Sequence, residues 1–406
     1  MHLSARLALP LLLFAAVALV LGGCPKPATT PTDVSGETKV PKGSGLKMAG
    51  GEEIAIGAIF SVTGTGAPLG EPEKATAEML AKQVNDAGGI NGKQIKLIIA
   101  DDATADDKAV MAAKKLIEQD NVMAIVGPTM SGTTLAIVDT CEQAQVPLIS
   151  CAASVKITSP VKKWVFSTAQ TDVLAVERLL DHLKAQKITK VALICDSNAF
   201  GQSGAEQLKK QLPPAGVTIV AEEKFDNKAT DMTAQLTKIK AAKPQAVICW
   251  GTNPAPAIVA KNAKALKLDA AIIMSHGIAN KKFIELAGDA AEGVVFPAGK
   301  LLVVNELPDS DPQKQVLLDY DKAFQAFAQK PANTFGGHAY DALQLVIAAL
   351  KSGAADRAAI RDAIEKTQGH VGIGGTFNLS AEDHNGLTKD AFALVTIKGG
   401  AWTQVK

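Results

Sequence analysis

The chain has 406 residues and a formal net charge of +1, with 42 Lys or Arg and 41 Asp or Glu, so it offers no basic surface typical of a nucleic-acid partner. Hydrophobic residues make up 47% of it but aromatic residues only 4%, a composition that suits alanine-rich helices packed closely on sheets. A chain of this length exceeds one ordinary hydrophobic core and predicts two domains.

The N-terminus has the pattern of an export signal. Residues 7–21 form an apolar run too short for a comfortable membrane span, and Leu21-Gly22-Gly23-Cys24 follows, which resembles a bacterial lipobox. We expect a lipoprotein signal peptide over residues 1–23, lipid on Cys24, and a flexible tether over residues 24–51. The protein is then exported, periplasmic or at the cell surface, with the lipid as its only membrane contact. An ordinary cleavage site before a chance cysteine is the alternative.

From residue 52 onward, strand patterns alternate with helix patterns, which predicts parallel sheets with helices on both faces. The first run has predicted strands at 54–60, 94–100, 124–126 and 146–149, a glycine-rich loop at 61–70, and helices at 72–87, 106–119 and from Ser131. The second run has predicted strands at 191–195, 217–221, 246–250 and 271–274, a turn at 200–204, and helices at 174–185, 205–211, 231–241 and 257–266. Three further helices at 315–328, 337–351 and 358–366 precede a hairpin of residues 391–397 and 401–405.

Two strand-to-helix turns between residues 124 and 154 have the features of an anion site. Hydroxyls at Ser131-Gly132-Thr133-Thr134 open a helix, and the small residues Cys151-Ala152-Ala153-Ser154 follow the next strand. The first N–H groups of a helix lack partners and favour an anion, and ligands of parallel sheets lie beyond the carboxyl ends of the strands. Ordinary helix capping by these hydroxyls is the alternative.

Several segments in order resemble the leucine/isoleucine/valine-binding-protein family, the type I periplasmic solute receptors of ABC transporters. They are IGAIFSVTGTGAPLG, QVNDAGGINGKQIKLIIADDATADDKAV, AIVGPTMSGTT, VPLISCAAS, LICDSNAFGQSGAEQLKK, GDAAEGVVF and HAYDALQLV. The resemblance implies two Rossmann-like, doubly wound α/β lobes joined by a hinge that the chain crosses three times. It places lobe 1 at residues 52–170 plus 300–375 and lobe 2 at residues 171–299 plus 376–406.

The same resemblance implies a site for a small carboxylate-bearing solute, with a permease and an ATPase as partners. Ser131, Ala152 and Ser154 stand where the family holds the ligand carboxylate, and Leu69, Phe200 and Thr252 stand where it has large side chains around the ligand. A core role for Phe200 is the alternative.

His276 departs from the family pattern, because amino-acid-binding members usually carry a carboxylate there for the α-ammonium. A buried ammonium without an anion costs several kcal/mol, and neutral histidine supplies no charge. Asp101, Asp102 and Asp196 also follow strands but are more typical of caps and turns. A branched-chain amino acid is thus the family expectation, and an organic or aromatic acid without an amine is the rival.

Sequence motifs for catalysis, cofactors and metals are absent: there is no GxGxxG in the first turn, GxxxxGK[ST], GxSxG, HExxH or CxxC. We expect no enzyme activity, no cofactor and no metal site. Cys141, Cys151, Cys195 and Cys249 lie in apolar patterns and are interpreted as buried thiols, although a Cys195–Cys249 pair stays open. His182 is expected at the surface, and His338 is placed in no site. A solute sensor for a signalling partner is the remaining alternative function.

Overall fold

Two sheets organise the part of the chain that the computed structural model describes, residues 53–405. The first sheet is parallel, with the strand order β2-β1-β3-β4-β5. Its strands are β1 (Glu53–Phe60), β2 (Gln94–Asp101), β3 (Ile125–Val126), β4 (Leu148–Ser150) and β5 (Val165–Ser167).

The second sheet has seven strands in the order β14-β13-β10-β9-β8-β6-β7. Its strands are β6 (Lys190–Asp196), β7 (Thr218–Phe225), β8 (Ala246–Trp250), β9 (Ala271–Met274), β10 (Val295–Gly299), β13 (Phe392–Lys398) and β14 (Ala401–Gln404). Strands β6 to β10 are parallel, whereas β13 runs antiparallel to β10 and forms the predicted hairpin with β14. A separate antiparallel pair consists of β11 (His370–Val371) and β12 (Thr376–Phe377).

Helices cover both faces of each sheet. They are α1 (Ala67–Asp86), α2 (Asp106–Glu118), α3 (Ser131–Ala144), α4 (Asp172–Ala185), α5 (Ala199–Gln211), α6 (Thr233–Ala241), α7 (Ala255–Ala265), α8 (Lys281–Ala287), α9 (Lys314–Ala328), α10 (Thr334–Lys351) and α11 (Arg357–Glu365). On the first sheet, α1, α9, α10 and α11 bury one face and α2 and α3 the other. On the second, α6, α7 and α8 bury one face and α4 and α5 the other.

The chain passes between the sheets three times, after β5, after β10 and after β12, which confirms the predicted fold class of two α/β lobes. We call the lobe built on the first sheet lobe 1 and the lobe built on the second sheet lobe 2. The residue boundaries given above for the lobes stay a prediction. None of the helices between residues 53 and 405 has the length and apolar character needed to cross a bilayer.

Several helices begin earlier than the sequence pattern predicted, and in α1 and α5 the difference changes the interpretation of a predicted loop and a predicted turn. Helix α1 begins at Ala67, so that Leu69 lies in its first turn rather than in a loop, because a proline near a helix start costs no hydrogen bond. Pro72, inside the helix, has no N–H to donate to the Pro68 carbonyl four residues earlier. That carbonyl accepts from Asn280 Nδ2 at 3.3 Å instead. The predicted turn at 200–204 is the beginning of α5, where the Asn198 side chain caps the helix.

The burial of side chains corrects the prediction for His182 and agrees with the interpretation of the four cysteines. His182 is only 9% exposed, so its expected place at the surface is wrong. The four cysteines of the described chain are free and buried, as interpreted from their apolar patterns. Cys195 and Cys249 lie on neighbouring strands but pack into hydrophobic clusters on opposite faces of the second sheet, so their side chains diverge.

Candidate binding site between the two lobes

One small cavity between the lobes brings together six of the seven predicted ligand residues. They are Leu69, Ser131, Ala152, Phe200, Thr252 and His276. The first three belong to lobe 1 and the last three to lobe 2. The cavity has a volume of about 30 Å³, room for roughly one or two water molecules, so a larger solute enters only if the surrounding lobes or side chains move apart. Cys24 lies outside the described residues.

Ser131 is the first residue of α3, and its hydroxyl does not cap the helix. The preceding N-cap is Met130, which makes no side-chain cap, and Ser131 Oγ accepts from the Ser154 backbone N–H at 3.3 Å. A hydroxyl that accepts one bond still has its own hydrogen to donate. Together with the first N–H groups of α3, which have no partner within the helix, the Ser131 hydroxyl gives one end of the cavity hydrogen-bond donors, and its role toward a carboxylate stays a prediction.

Ser154 is not among the residues that line the cavity. Its hydroxyl donates to Ser203 Oγ at 2.8 Å, and Ser203 is a buried residue of α5 in the opposite lobe. Two residues further on, Lys156 Nζ contacts Glu206 Oε1 of the same helix at 2.7 Å. Ser154 and Lys156 thus form a lobe-to-lobe contact beside the cavity, and a direct ligand role for Ser154 stays a prediction.

His276 is 6% exposed and lies in a cluster of aromatic rings. Its ring centroid is 5.3 Å from Phe200, 5.9 Å from Trp250 and 5.3 Å from Phe392. Gly204 lets α5 approach this cluster, because a Cβ there would lie 2.1 Å from Trp250 Nε1. Burial, with a smaller contribution from His338, lowers the pKa of His276 to about 3, so the ring is neutral at physiological pH.

His338 is a cavity residue that the sequence reasoning missed. It lies in the first turns of α10, is 4% exposed, and faces the same cavity as His276 from the other lobe. Burial lowers its pKa to about 4, so it is neutral as well. The available signal was a polar residue inside an otherwise apolar helix pattern, TFGGHAYDALQLV. Phe335, Met130 and Cys151 were also missed and supply apolar wall.

Among the described lining residues none is acidic. The predicted turn acids behave as expected of such residues: Asp101 accepts from the N–H groups of Val62 and Thr63, and Asp196 from Asn198. Just outside the cavity wall, Glu73 accepts a hydrogen bond from the lining residue Thr129. Complete burial raises the pKa of Glu73 well above its usual value, which favours its uncharged form.

A two-lobed α/β protein with a small cavity between the lobes, lined at the carboxyl ends of both sheets, has the architecture of a solute-binding protein. A family model described as periplasmic binding protein matches residues 53–401, and the chain belongs to this family. The family consists of solute-binding proteins rather than enzymes, which confirms the sequence-based expectation.

Curated relatives and solved structures are similar over most of the chain. The leucine-, isoleucine-, valine-, threonine- and alanine-binding protein of Pseudomonas aeruginosa is 30% identical over 77% of this chain and 82% of its own length. The Leu/Ile/Val-binding protein BraC3 of Rhizobium johnstonii is 30% identical over 81% and 90%. An extracellular ligand-binding receptor of Rhodopseudomonas palustris is 28% identical, with a TM-score of 0.82 over 87% and 99%. The isoleucine complex of LivJ from Streptococcus pneumoniae is 27% identical, with a TM-score of 0.76 over 87% and 99%.

Replacing His276 by Phe should make stability less dependent on pH. The folded pKa of about 3 lies below the ordinary value of 6.5, so the unfolded chain takes up the proton first and stability falls as pH drops below about 6.5. Between pH 7 and pH 5 the wild type should lose about 2 kcal/mol more than His276→Phe. Urea unfolding of both proteins at pH 7 and pH 5 measures the free energy of unfolding. Groups that titrate alike in the two proteins contribute equally, so their contributions cancel when the two losses are compared. Equal losses would contradict a neutral buried ring.

Removing the lobe-to-lobe contact should open the protein in the absence of added solute. The variant Ser154→Ala with Lys156→Ala loses one buried hydroxyl bond and one exposed ion pair, together worth about 1–2 kcal/mol of the closed state. We expect a larger radius of gyration by small-angle scattering. The control is Lys82→Ala, which removes an ion pair within α1. A variant as compact as the wild type would show that these contacts do not hold the lobes together.

Proposed function

We propose that the protein is the extracytoplasmic solute receptor of an ABC importer and that it binds a small carboxylate-bearing solute between its closing lobes. The observation that carries this proposal is Ser131, whose hydroxyl lies at the cavity wall at the start of α3. Solute contacts to both lobes stabilise the closed state over the open one. The lobes are proposed to comprise residues 52–170 plus 300–375 and residues 171–299 plus 376–406.

Branched-chain amino acids are the first candidates for the solute, because the relatives from Pseudomonas aeruginosa and Rhizobium johnstonii are named for binding them. The apolar wall of Leu69, Phe200 and Phe335 suits a branched or aromatic side chain. The second candidate is an acid without an amine. It is favoured by the uncharged state of His276 and by the lack of acidic side chains among the described lining residues, which leaves an ammonium without an anionic partner.

Ser131→Ala should weaken solute binding strongly. It removes a hydrogen bond to a charged carboxylate, worth roughly 1.5–3 kcal/mol, so Kd should rise by about tenfold to a hundredfold. A thermal-shift panel of amino acids and organic acids first identifies the best solute, and calorimetric titration then compares the variant with the wild type. Ser310→Ala, an exposed serine remote from the cavity, is the matched control. Retention of wild-type affinity by Ser131→Ala would rule out the assigned carboxylate site.

The proposed anchor predicts that Cys24→Ser releases the protein from the membrane. Its support is the apolar run at residues 7–21 followed by Leu21-Gly22-Gly23-Cys24. The variant should move from the detergent phase to the aqueous phase on partitioning. Lys26→Ser, two residues away in the tether, should stay in the detergent phase. If Cys24→Ser partitions like the wild type, the lipid is attached elsewhere or not at all.

A further inference from the structure

The cavity contains buried nitrogen atoms that have no protein partner. Both ring nitrogens of His276 and the Nδ1 of His338 are buried and make no hydrogen bond to any described residue. An unpaired buried polar group costs about 1–3 kcal/mol, so such groups in native proteins call for a partner that the chain itself does not supply. Because both histidines line the same small cavity, a molecule bound in that cavity is in the position to supply the partner.

The two histidines approach the cavity from different lobes. His276 follows β9 in lobe 2, whereas His338 lies on α10, which packs on lobe 1. Both rings belong to the wall of the same cavity, and His338 is the second cause, after burial, of the lowered pKa of His276. A polar group placed between them touches both lobes at once, so its hydrogen bonds form fully only in the closed state.

The charge state of the two rings limits what this polar group can be. A neutral imidazole offers one N–H donor and one acceptor nitrogen and carries no charge. An ammonium can donate to the acceptor nitrogens but finds no counter-charge among the described lining residues. A carboxylate can accept from the N–H donors, but the neutral rings offer it no positive charge, and the proposed function already places the carboxylate at Ser131. A hydroxyl both donates and accepts. An oxo group accepts from the N–H donors and is likewise uncharged.

We infer that the solute carries, besides its carboxylate, an uncharged oxygen function such as a hydroxyl or an oxo group, and that His276 and His338 bind this oxygen from opposite lobes. The inference rests on the proposed function, because it takes the carboxylate end at Ser131 as given. It makes the preferred solutes hydroxy or oxo acids with a branched or aromatic apolar body rather than the corresponding amino acids.

Two matched series of solutes test this inference. Calorimetric titration of the wild type uses leucine, its hydroxy acid, its oxo acid, and the plain acid that has hydrogen in place of the amino group. The phenylalanine skeleton supplies the second series. We expect the hydroxy or oxo acid of at least one skeleton to bind about tenfold or more tighter than both the amino acid and the plain acid. Tightest binding of the amino acid overturns the inference and leaves the proposed function standing. Failure of every acid in both series to bind overturns the inference, whereas the proposed function is overturned only if no acid of the thermal-shift panel binds.

Variants at the two histidines separate solute recognition from packing. His276→Phe and His338→Phe keep an aromatic ring but remove the nitrogens, so each should weaken the hydroxy or oxo acid by about three- to tenfold and leave the plain acid nearly unchanged. His276→Gln retains a donor and an acceptor and should keep the preference for the hydroxy or oxo acid over the plain acid. It provides a second test at this position if His276→Phe fails to fold. His370→Phe, outside the cavity, is the control. Equal weakening of both acids by the Phe variants shows a role in packing alone and overturns the inference.

Discussion

All strands of a parallel sheet end at the same edge, and both sheets of this protein turn that edge toward one cavity. Ser131 and Ala152 follow β3 and β4 of the first sheet, while Thr252 and His276 follow β8 and β9 of the second. These residues are far apart in sequence, yet sheet topology alone brings them together. The helix that starts after β3 then supplies a feature that favours negative charge, so the sheets fix the place of the site and the beginning of α3 contributes to its polarity.

The crossings between the lobes are held by buried side chains that bond the backbone. Asp341 accepts from the N–H groups of Ile373 and Gly374, and Gln170 Nε2 donates to the Gly374 carbonyl at 2.7 Å. Burial raises the pKa of Asp341 to about 7. Asp341 lies one helical turn after His338 on α10, so this helix links a cavity residue directly to the segment where the chain crosses.

The periodic parts of the fold were predictable, because alternating strand and helix patterns indicate parallel sheets covered by helices. The strands β8 and β9 have the bounds that the pattern predicted. The short β5 and the proline-containing β10 were missed because neither shows a clear strand pattern. Contacts between segments that are distant in sequence could not be predicted from the pattern either. Ser154 finds Ser203 in the other lobe, and the place of His338 at the cavity depends on how α10 packs rather than on its neighbours in sequence.

The polar contacts that Ser154 and Lys156 make with the opposite lobe are individually weak. The Lys156–Glu206 pair is about half exposed, with side-chain exposures of 46% and 51%, and exposed pairs of this kind contribute about 0–1 kcal/mol. The Ser154–Ser203 bond adds about 1 kcal/mol. A solute shifts a two-state equilibrium only by its differential affinity for the two states. Because both lobes contribute residues to the cavity wall, a solute held there gains its contacts with the second lobe only when the lobes are together.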